Sequence, residues 1–282
     1  MSATDELTLQ IPGLRLSAKA WGPEDGHPVL ALHGWLDNAA SFDRLAPLLD
    51  SCRVVALDLP GHGKSEHRPK AAGYNFIDWV PDMFAALDEL AWQRFALLAH
   101  SLGGGIACMM AGTFPERCTG LVLLEGLGPL SGEAADAPDR LARAVASRAR
   151  FVGKRSPVHA GREAATARVV EATRMSPEAA AILVARGTRE VDGGVTWCTD
   201  PRLRGVSALR LTEEQVRAFL ARIACPTLLV VAADGLPFDT DLGRGRAACV
   251  PNITIETLDG GHHVHLDDAG TVARLARPYL AG

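Results

Sequence analysis

A chain of 282 residues, 48% apolar and 22% charged with a net charge of −4, has ordinary globular composition, which excludes disorder and the compositionally extreme classes. A fold of this size hides roughly 75% of its unfolded surface, so a large core is available. No long like-charged run argues for nucleic acid, and no segment reaches the roughly 20 apolar residues of a membrane-spanning helix.

The opening MSATDELTLQ has neither a basic n-region nor an apolar h-region, so no secretory signal is expected. Six cysteines (Cys52, Cys108, Cys118, Cys198, Cys225, Cys249) carry no CxxC pairing; reduced thiols in the cytoplasm are the expectation, and a cysteine zinc site is not. ELTLQIPGLRLSAKAW alternates around Pro12-Gly13 and reads as an antiparallel hairpin. Then PVLALHG, CRVVALDLPG, FALLAHS and LVLLEG follow as short runs apolar on both faces, the pattern of parallel strands covered by helices on both sides. Between them SFDRLAPLLD, FIDWVPDMFAALDEL and GGIACMMAGTF read as amphipathic helices. After Gly126 the alternation stops. From about Pro129 to Ile223 the chain is Ala/Arg-rich and reads as mostly helical, with helix starts at Ser176-Pro177-Glu178 and Thr212-Glu213-Glu214 and a stop at Gly187. No strand pattern of comparable strength is expected in that block. PTLLVVAADG and ITIETLDGG resume the strands, and a last helix is expected near Thr271 to Leu280. The division expected is a core of 1–126 and 224–282 with a helical cap at 127–223.

Three loops carry chemistry. Ala99-His100-Ser101-Leu102-Gly103 lies between a strand and a helix. A nucleophile on such a turn needs a strained backbone and small neighbours, and Ala99 stands where glycine is usual while keeping the steric logic. The helix that follows aims its N-terminus and the Leu102 N–H at the reaction centre. Leu32-His33-Gly34-Trp35-Leu36-Asp37 ends an earlier strand, so Trp35 and Leu102 are the expected pair of oxyanion donors. Gly260-Gly261-His262-His263-Val264-His265 follows the last strand; His262, at the loop apex, is the expected general base, with His263 and His265 packing or lining the pocket. No carboxylate cluster accompanies these histidines in sequence, so no metal is expected. Glu125 and Asp234 both end strands, and either can orient the imidazole.

At these residues the chain resembles the α/β-hydrolase superfamily over nearly its whole length. His33-Gly34-Trp35 resembles the oxyanion loop, Asp58-Leu59-Pro60-Gly61-His62-Gly63-Lys64-Ser65 the D-x-P-G-x-G-x-S turn, and the elbow and the Gly261-His262 loop complete the order. His33 to Leu49, with Arg186-Gly187-Thr188 and Asp200-Pro201-Arg202-Leu203, is similar to the serine hydrolase-like family. The resemblance implies an α/β-hydrolase fold with a mostly parallel eight-stranded sheet flanked by helices and a helical cap insertion. It puts the usual acid near Gly235, one residue past Asp234, while some relatives carry the acid after the preceding strand, where Glu125 stands. Glu125 is therefore the expected acid, Asp234 the alternative and Asp239 a distant third. Aspartate nucleophiles, used by haloalkane dehalogenases and epoxide hydrolases of this fold, do not fit Ser101.

The function expected is carboxylic ester hydrolysis through an acyl-enzyme on Ser101, His262 and Glu125, without metal or organic cofactor, by a monomer or homodimer acting on a small ester-like molecule. Thioester, lactone and C–C bond hydrolysis and cofactor-free perhydrolysis are alternatives on the same triad; a non-catalytic ligand-binding scaffold is the alternative from another class. His33, Gly34, His100 and Trp197 are expected to line a mainly apolar substrate site, and Arg202 to form a surface ion pair.

Overall fold

The computed structural model describes residues 4–151 and 153–281; the first three residues of the N-terminal stretch lie outside it. In chain order the first part contains β1 (Asp5–Ile11), β2 (Leu14–Trp21), β3 (His27–Leu32), β4 (Cys52–Leu57), α1 (Trp79–Glu89), β5 (Phe95–His100), α2 (Leu102–Thr113) and β6 (Cys118–Leu124). An intervening segment carries α3 (Ala137–Phe151), β7 (Val158–His159), α4 (Arg162–Thr173), α5 (Pro177–Gly187), β8 (Thr188–Val191), β9 (Gly194–Trp197) and α6 (Glu213–Leu220). The last part adds β10 (Thr227–Asp234), α7 (Asp241–Ala247), β11 (Ile253–Gly261), α8 (Val264–Asp267) and α9 (Ala269–Leu280).

Eight strands form one sheet in the order β1-β2-β4-β3-β5-β6-β10-β11. β1 and β2 pair antiparallel, with Ile11 opposite Leu14 across a turn in which Gly13 takes φ 79°, a conformation open to glycine. β2 is also antiparallel to β4, and the remaining pairings are parallel. The central strands are buried on both faces because alternate residues serve two cores. Leu30, Leu32, Leu97, Leu121 and Leu123 point to the face covered by α1, α2 and α6. Val29, Ala31, Leu98, Val122 and Leu124 point to the face covered by α9. That double burial is why these runs read as continuously apolar.

Two expectations are corrected. SFDRLAPLLD is not an α-helix but two 3-10 turns, Ala39–Phe42 and Ala46–Leu48. Pro47 has no N–H to donate and crowds the preceding turn, so a continuous helix is blocked. The intervening segment is not only helical: β7, β9 and β8 form a small antiparallel sheet, with β8 and β9 joined through Asp192-Gly193. That Asp-Gly pair is a hairpin signal in a run too short to stand out beside its helices. The two helix starts are capped as their sequences require: Ser176 accepts from the Ala179 amide, and Thr212 forms a capping box with Gln215. No described helix is long and apolar enough to cross a membrane.

Candidate active site

Three strand ends meet at the carboxyl edge of the sheet. β5 ends in His100, and Ser101 takes φ 52° and ψ −111° before α2 begins at Leu102. This left-handed backbone costs a non-glycine residue about 1–3 kcal/mol and persists because its surroundings fix it. The Ser101 amide donates to the Leu124 carbonyl (2.9 Å) and the Gly103 amide to the His33 carbonyl (3.1 Å). A side chain at Gly103 would stand 2.1 Å from the Leu32 carbonyl oxygen, and one at Gly126 2.6 Å from that of Ser101. The turn is therefore clamped between β3 and β6 by residues that must lack a Cβ. Among the described residues the amides of Trp35 and Leu102 have no acceptor.

Glu125 ends β6, also at positive φ (57°), and its carboxylate is almost fully buried. It accepts from the Ala232 amide (2.5 Å), from the Leu236 amide (2.7 Å) and from His262 Nδ1 (3.0 Å). Burial pushes its carboxyl up, but these three donors outweigh burial and hold it below the ordinary carboxylate range. A Cβ at Gly235 would lie 2.1 Å from Glu125 Oε2: the Glu125 carboxylate occupies the room that a side chain at 235 would need. Asp234 is exposed at the end of β10 and its carboxylate has no hydrogen bond among the described residues. Asp239 is exposed and pairs with Arg244. Of the three carboxylates weighed from sequence, the structure brings Glu125 alone to His262.

With Nδ1 engaged by Glu125, the His262 ring presents Nε2 to a cavity of about 620 Å³ that Ser101 also lines. Among the described residues no hydrogen bond joins the Ser101 hydroxyl to His262; the two share the lining of this cavity. A second cavity, about 770 Å³, also reaches Ser101 and is lined by Leu102, Trp79, Val231 and Phe238 together with Arg140, Arg210 and Arg246. Ser101 and Trp35 line both cavities.

The remaining residues singled out from sequence divide. Gly34, His100 and Trp197 line the first cavity. His33 does not: it is fully buried, its Nδ1–H donates to the Gly34 carbonyl (2.7 Å), and its Nε2 accepts from the Leu59 amide (3.0 Å). The expectation that His33 binds substrate is thus corrected to a structural role, and burial pulls its pKa down to about 4. His100 Nε2–H donates to the His262 carbonyl (2.9 Å), tying the residue before Ser101 to the loop that carries His262. Arg202 pairs with Asp200 (2.6 Å) but is not a surface pair; it also donates to the carbonyls of Pro69 and Ala72, stapling the intervening segment to the core.

Sequence reasoning missed Asp37. It lies 3.3 Å from both His100 Nδ1 and His263 Nε2. Burial opposes its charge, but the facing His263, which also donates to it, holds Asp37 well below the usual carboxylate range. Burial lowers His263, yet Asp37 outweighs it and raises the ring above its ordinary value. One ligand atom each from Asp37, His100 and His263 lies within 4.8 Å of the others, so the carboxylate that the loop histidines lacked in sequence is supplied by β3's loop. The set has the donor types of a zinc site and is equally satisfied as a buried ion pair. A Cβ on Gly34 would meet His100 Nδ1 at 2.8 Å and Asp37 Oδ2 at 2.9 Å, which is why glycine stands there.

Comparison with known proteins agrees with this architecture. The family model described as "alpha/beta hydrolase fold" matches residues 27–269. A "Serine hydrolase-like protein" from Danio rerio is 32% identical over 99% of this chain and 89% of its own length. The crystal structure of a hypothetical protein from Pseudomonas aeruginosa PAO1 is 43% identical, with TM-score 0.93 over 98% of this chain and 99% of that one. A thioesterase domain from the curacin biosynthetic pathway is 27% identical, with TM-score 0.87 over 97% of this chain and 98% of that one. The chain is a hydrolase that belongs to the α/β-hydrolase family, among its serine hydrolase-like proteins.

Proposed function

We propose that the protein hydrolyses carboxylic esters or thioesters through an acyl-enzyme on Ser101, with His262 as general base, Glu125 as the acid and residues 127–223 as a cap over the site. The observation that carries this reading is the coincidence at one sheet edge of a strained serine and an imidazole held at Nδ1 by a buried carboxylate. Glu125 fixes the Nδ1–H tautomer, so Nε2 is free to take the Ser101 proton. The serine oxygen attacks the acyl carbon, and the resulting oxyanion is met by the Trp35 and Leu102 amides, which lack other acceptors. His262 passes the proton to the leaving group and then activates water for the second half-reaction. The similarity to a thioesterase domain favours thioesters beside oxygen esters.

Labelling with a fluorophosphonate probe, together with turnover of p-nitrophenyl esters of rising chain length, a lactone and a thioester, tests the proposal. Labelling that disappears in Ser101→Ala, with measurable turnover, is the expected result. Folded protein that neither labels nor turns over any member of the series would overturn the triad and leave a binding scaffold.

A further inference from the structure

Ser101 lines two cavities, and proton transfer decides which part of a substrate each one holds. This step rests on the triad reading above. In the cleavage Ser101 Oγ bonds to the acyl carbon, the bond from that carbon to the leaving oxygen or sulfur breaks, and the proton taken from Ser101 passes from His262 to that leaving atom. The leaving group must therefore lie on the side of His262. His262 lines the first cavity and not the second, whereas Leu102, on the oxyanion side, lines the second and not the first. The acyl chain then belongs in the second cavity, whose walls combine Trp79, Leu127, Val231 and Phe238 with Arg140, Arg210 and the Glu213-paired Arg246. The alcohol or thiol belongs in the first.

The outer wall of that first cavity is cationic. Lys154, Arg155, Arg168 and Arg204 line it. Arg168 has an ion-pair partner in Glu171. Lys154 and Arg204 instead stack over Phe151 (5.0 Å) and Trp35 (5.7 Å), and no carboxylate pairs with Lys154, Arg155 or Arg204 among the described residues. The two carboxylates of the same cavity are already engaged, Asp37 by His263 and Asp200 by Arg202. The wider charge distribution agrees. Residues 127–223 hold 16 Lys+Arg against 11 Asp+Glu, in a chain whose totals are 29 against 33. An acidic protein has placed its cationic excess on the segment above its nucleophile, an arrangement that draws anions into a cleft.

We propose that the first cavity is an anion-binding leaving-group subsite, and that the substrates are esters or thioesters of apolar acids whose alcohol or thiol carries phosphate. The test compares hexanoyl-coenzyme A with hexanoyl-N-acetylcysteamine, the same acyl group on a phosphorylated and on a neutral thiol, with p-nitrophenyl hexanoate alongside. At low ionic strength kcat/KM for the phosphorylated thioester is expected to exceed that for the neutral one by about tenfold or more, with the gap closing in molar salt. The Lys154→Ala/Arg155→Ala variant should lower the charged substrate's kcat/KM about tenfold through KM, with a far smaller effect on the neutral one. Equal kcat/KM for the two thioesters, or a variant that depresses both alike, would overturn the subsite while hydrolysis of the nitrophenyl ester still stands. No turnover of any of the three would remove the triad reading, and this inference with it.

Discussion

Replacing Glu125 by Gln gives the sharpest test of the site. The carboxylate lies 3.0 Å from His262 Nδ1. At that separation and an effective dielectric near 20, a full charge stabilises the imidazolium of the transition state by roughly 5 kcal/mol. The His262 side chain is 25% exposed, so solvent screens part of this, and a loss of about 10³- to 10⁴-fold in kcat is expected. The amide also creates a donor conflict. Its NH2 group must face either the Ala232 amide or the Leu236 amide, both of which now donate to Glu125, at a cost of about 1–3 kcal/mol in stability. Steady-state turnover of a p-nitrophenyl ester and urea unfolding measure the two effects separately. Asp234→Asn, on an exposed side chain, should change kcat less than about twofold, since surface changes away from a site are small. Gly235→Asp alone should damage the protein, because its Cβ would sit 2.1 Å from Glu125 Oε2. In Glu125→Gly/Gly235→Asp that clash is gone, glycine suits the φ of 57° at position 125, and the carboxylate returns from the neighbouring strand. The double variant should exceed Glu125→Gln by at least about tenfold. Near-normal turnover in Glu125→Gln together with a large loss in Asp234→Asn would refute the assignment.

Acid should destabilise the fold well before its surface carboxylates titrate. Burial lowers the pKa of His33 to about 4, of His62 to about 3 and of His100 to about 4; the unfolded chain therefore binds protons below about pH 6.5 that the folded chain refuses, and stability is full above that pH and lost as pH falls toward 4. Each such histidine contributes a slope of up to about 1.4 kcal/mol per pH unit below about pH 6.5, whereas the raised pKa of His263 acts only above that pH, where its stabilisation is gained as pH falls; a Tm that stays flat between about pH 6.5 and 5 would contradict the buried neutral rings. Arg186, from α5, pairs with the fully buried Asp58 at 2.9 Å and with Glu6 at 2.6 Å. Arg186→Leu strands the Asp58 charge and should cost about 3–5 kcal/mol, with Arg186→Leu/Asp58→Asn recovering part of it in urea melts; a single variant as stable as the parent would show that this pair does not fasten α5 to the sheet.

The sheet was legible because physical constraint acts locally there. A strand buried on both faces has to be apolar at every position, and PVLALHG or FALLAHS announces this without knowledge of its neighbours. The intervening segment was less legible. β7, β8 and β9 are two to four residues long, too short to show a period, and their burial comes from packing against α4 and α5. Only the Asp192-Gly193 turn could have exposed them. The 3-10 turns between β3 and β4 follow from one residue: the apolar spacing of SFDRLAPLLD suits a helix, but Pro47 forbids its continuation.

At the site the division lies between what a turn demands of its own residues and what distant loops demand of each other. The serine elbow was visible because strain selects small neighbours within a few positions. The carboxylate that meets His262 was not fixed by any such rule. Glu125 and Asp234 look alike as strand-end carboxylates, and the distinction lies in the space beside Gly235, which belongs to a different strand. The Asp37–His263 pair spans 226 positions, so no local pattern could reveal it. One signal did exist: a histidine ending the otherwise apolar run Phe95 to Ala99 sits where the sheet buries everything, and a buried ring with two polar nitrogens must find partners. His100 Nε2 finds the His262 carbonyl, and Nδ1 lies 3.3 Å from Asp37. The same ring thus joins the strand before Ser101, the loop of Gly34 to Asp37 and the loop that carries His262. Mutating it should shift the placement of His262 relative to Ser101, because the bond from His100 Nε2 to the His262 carbonyl would be lost.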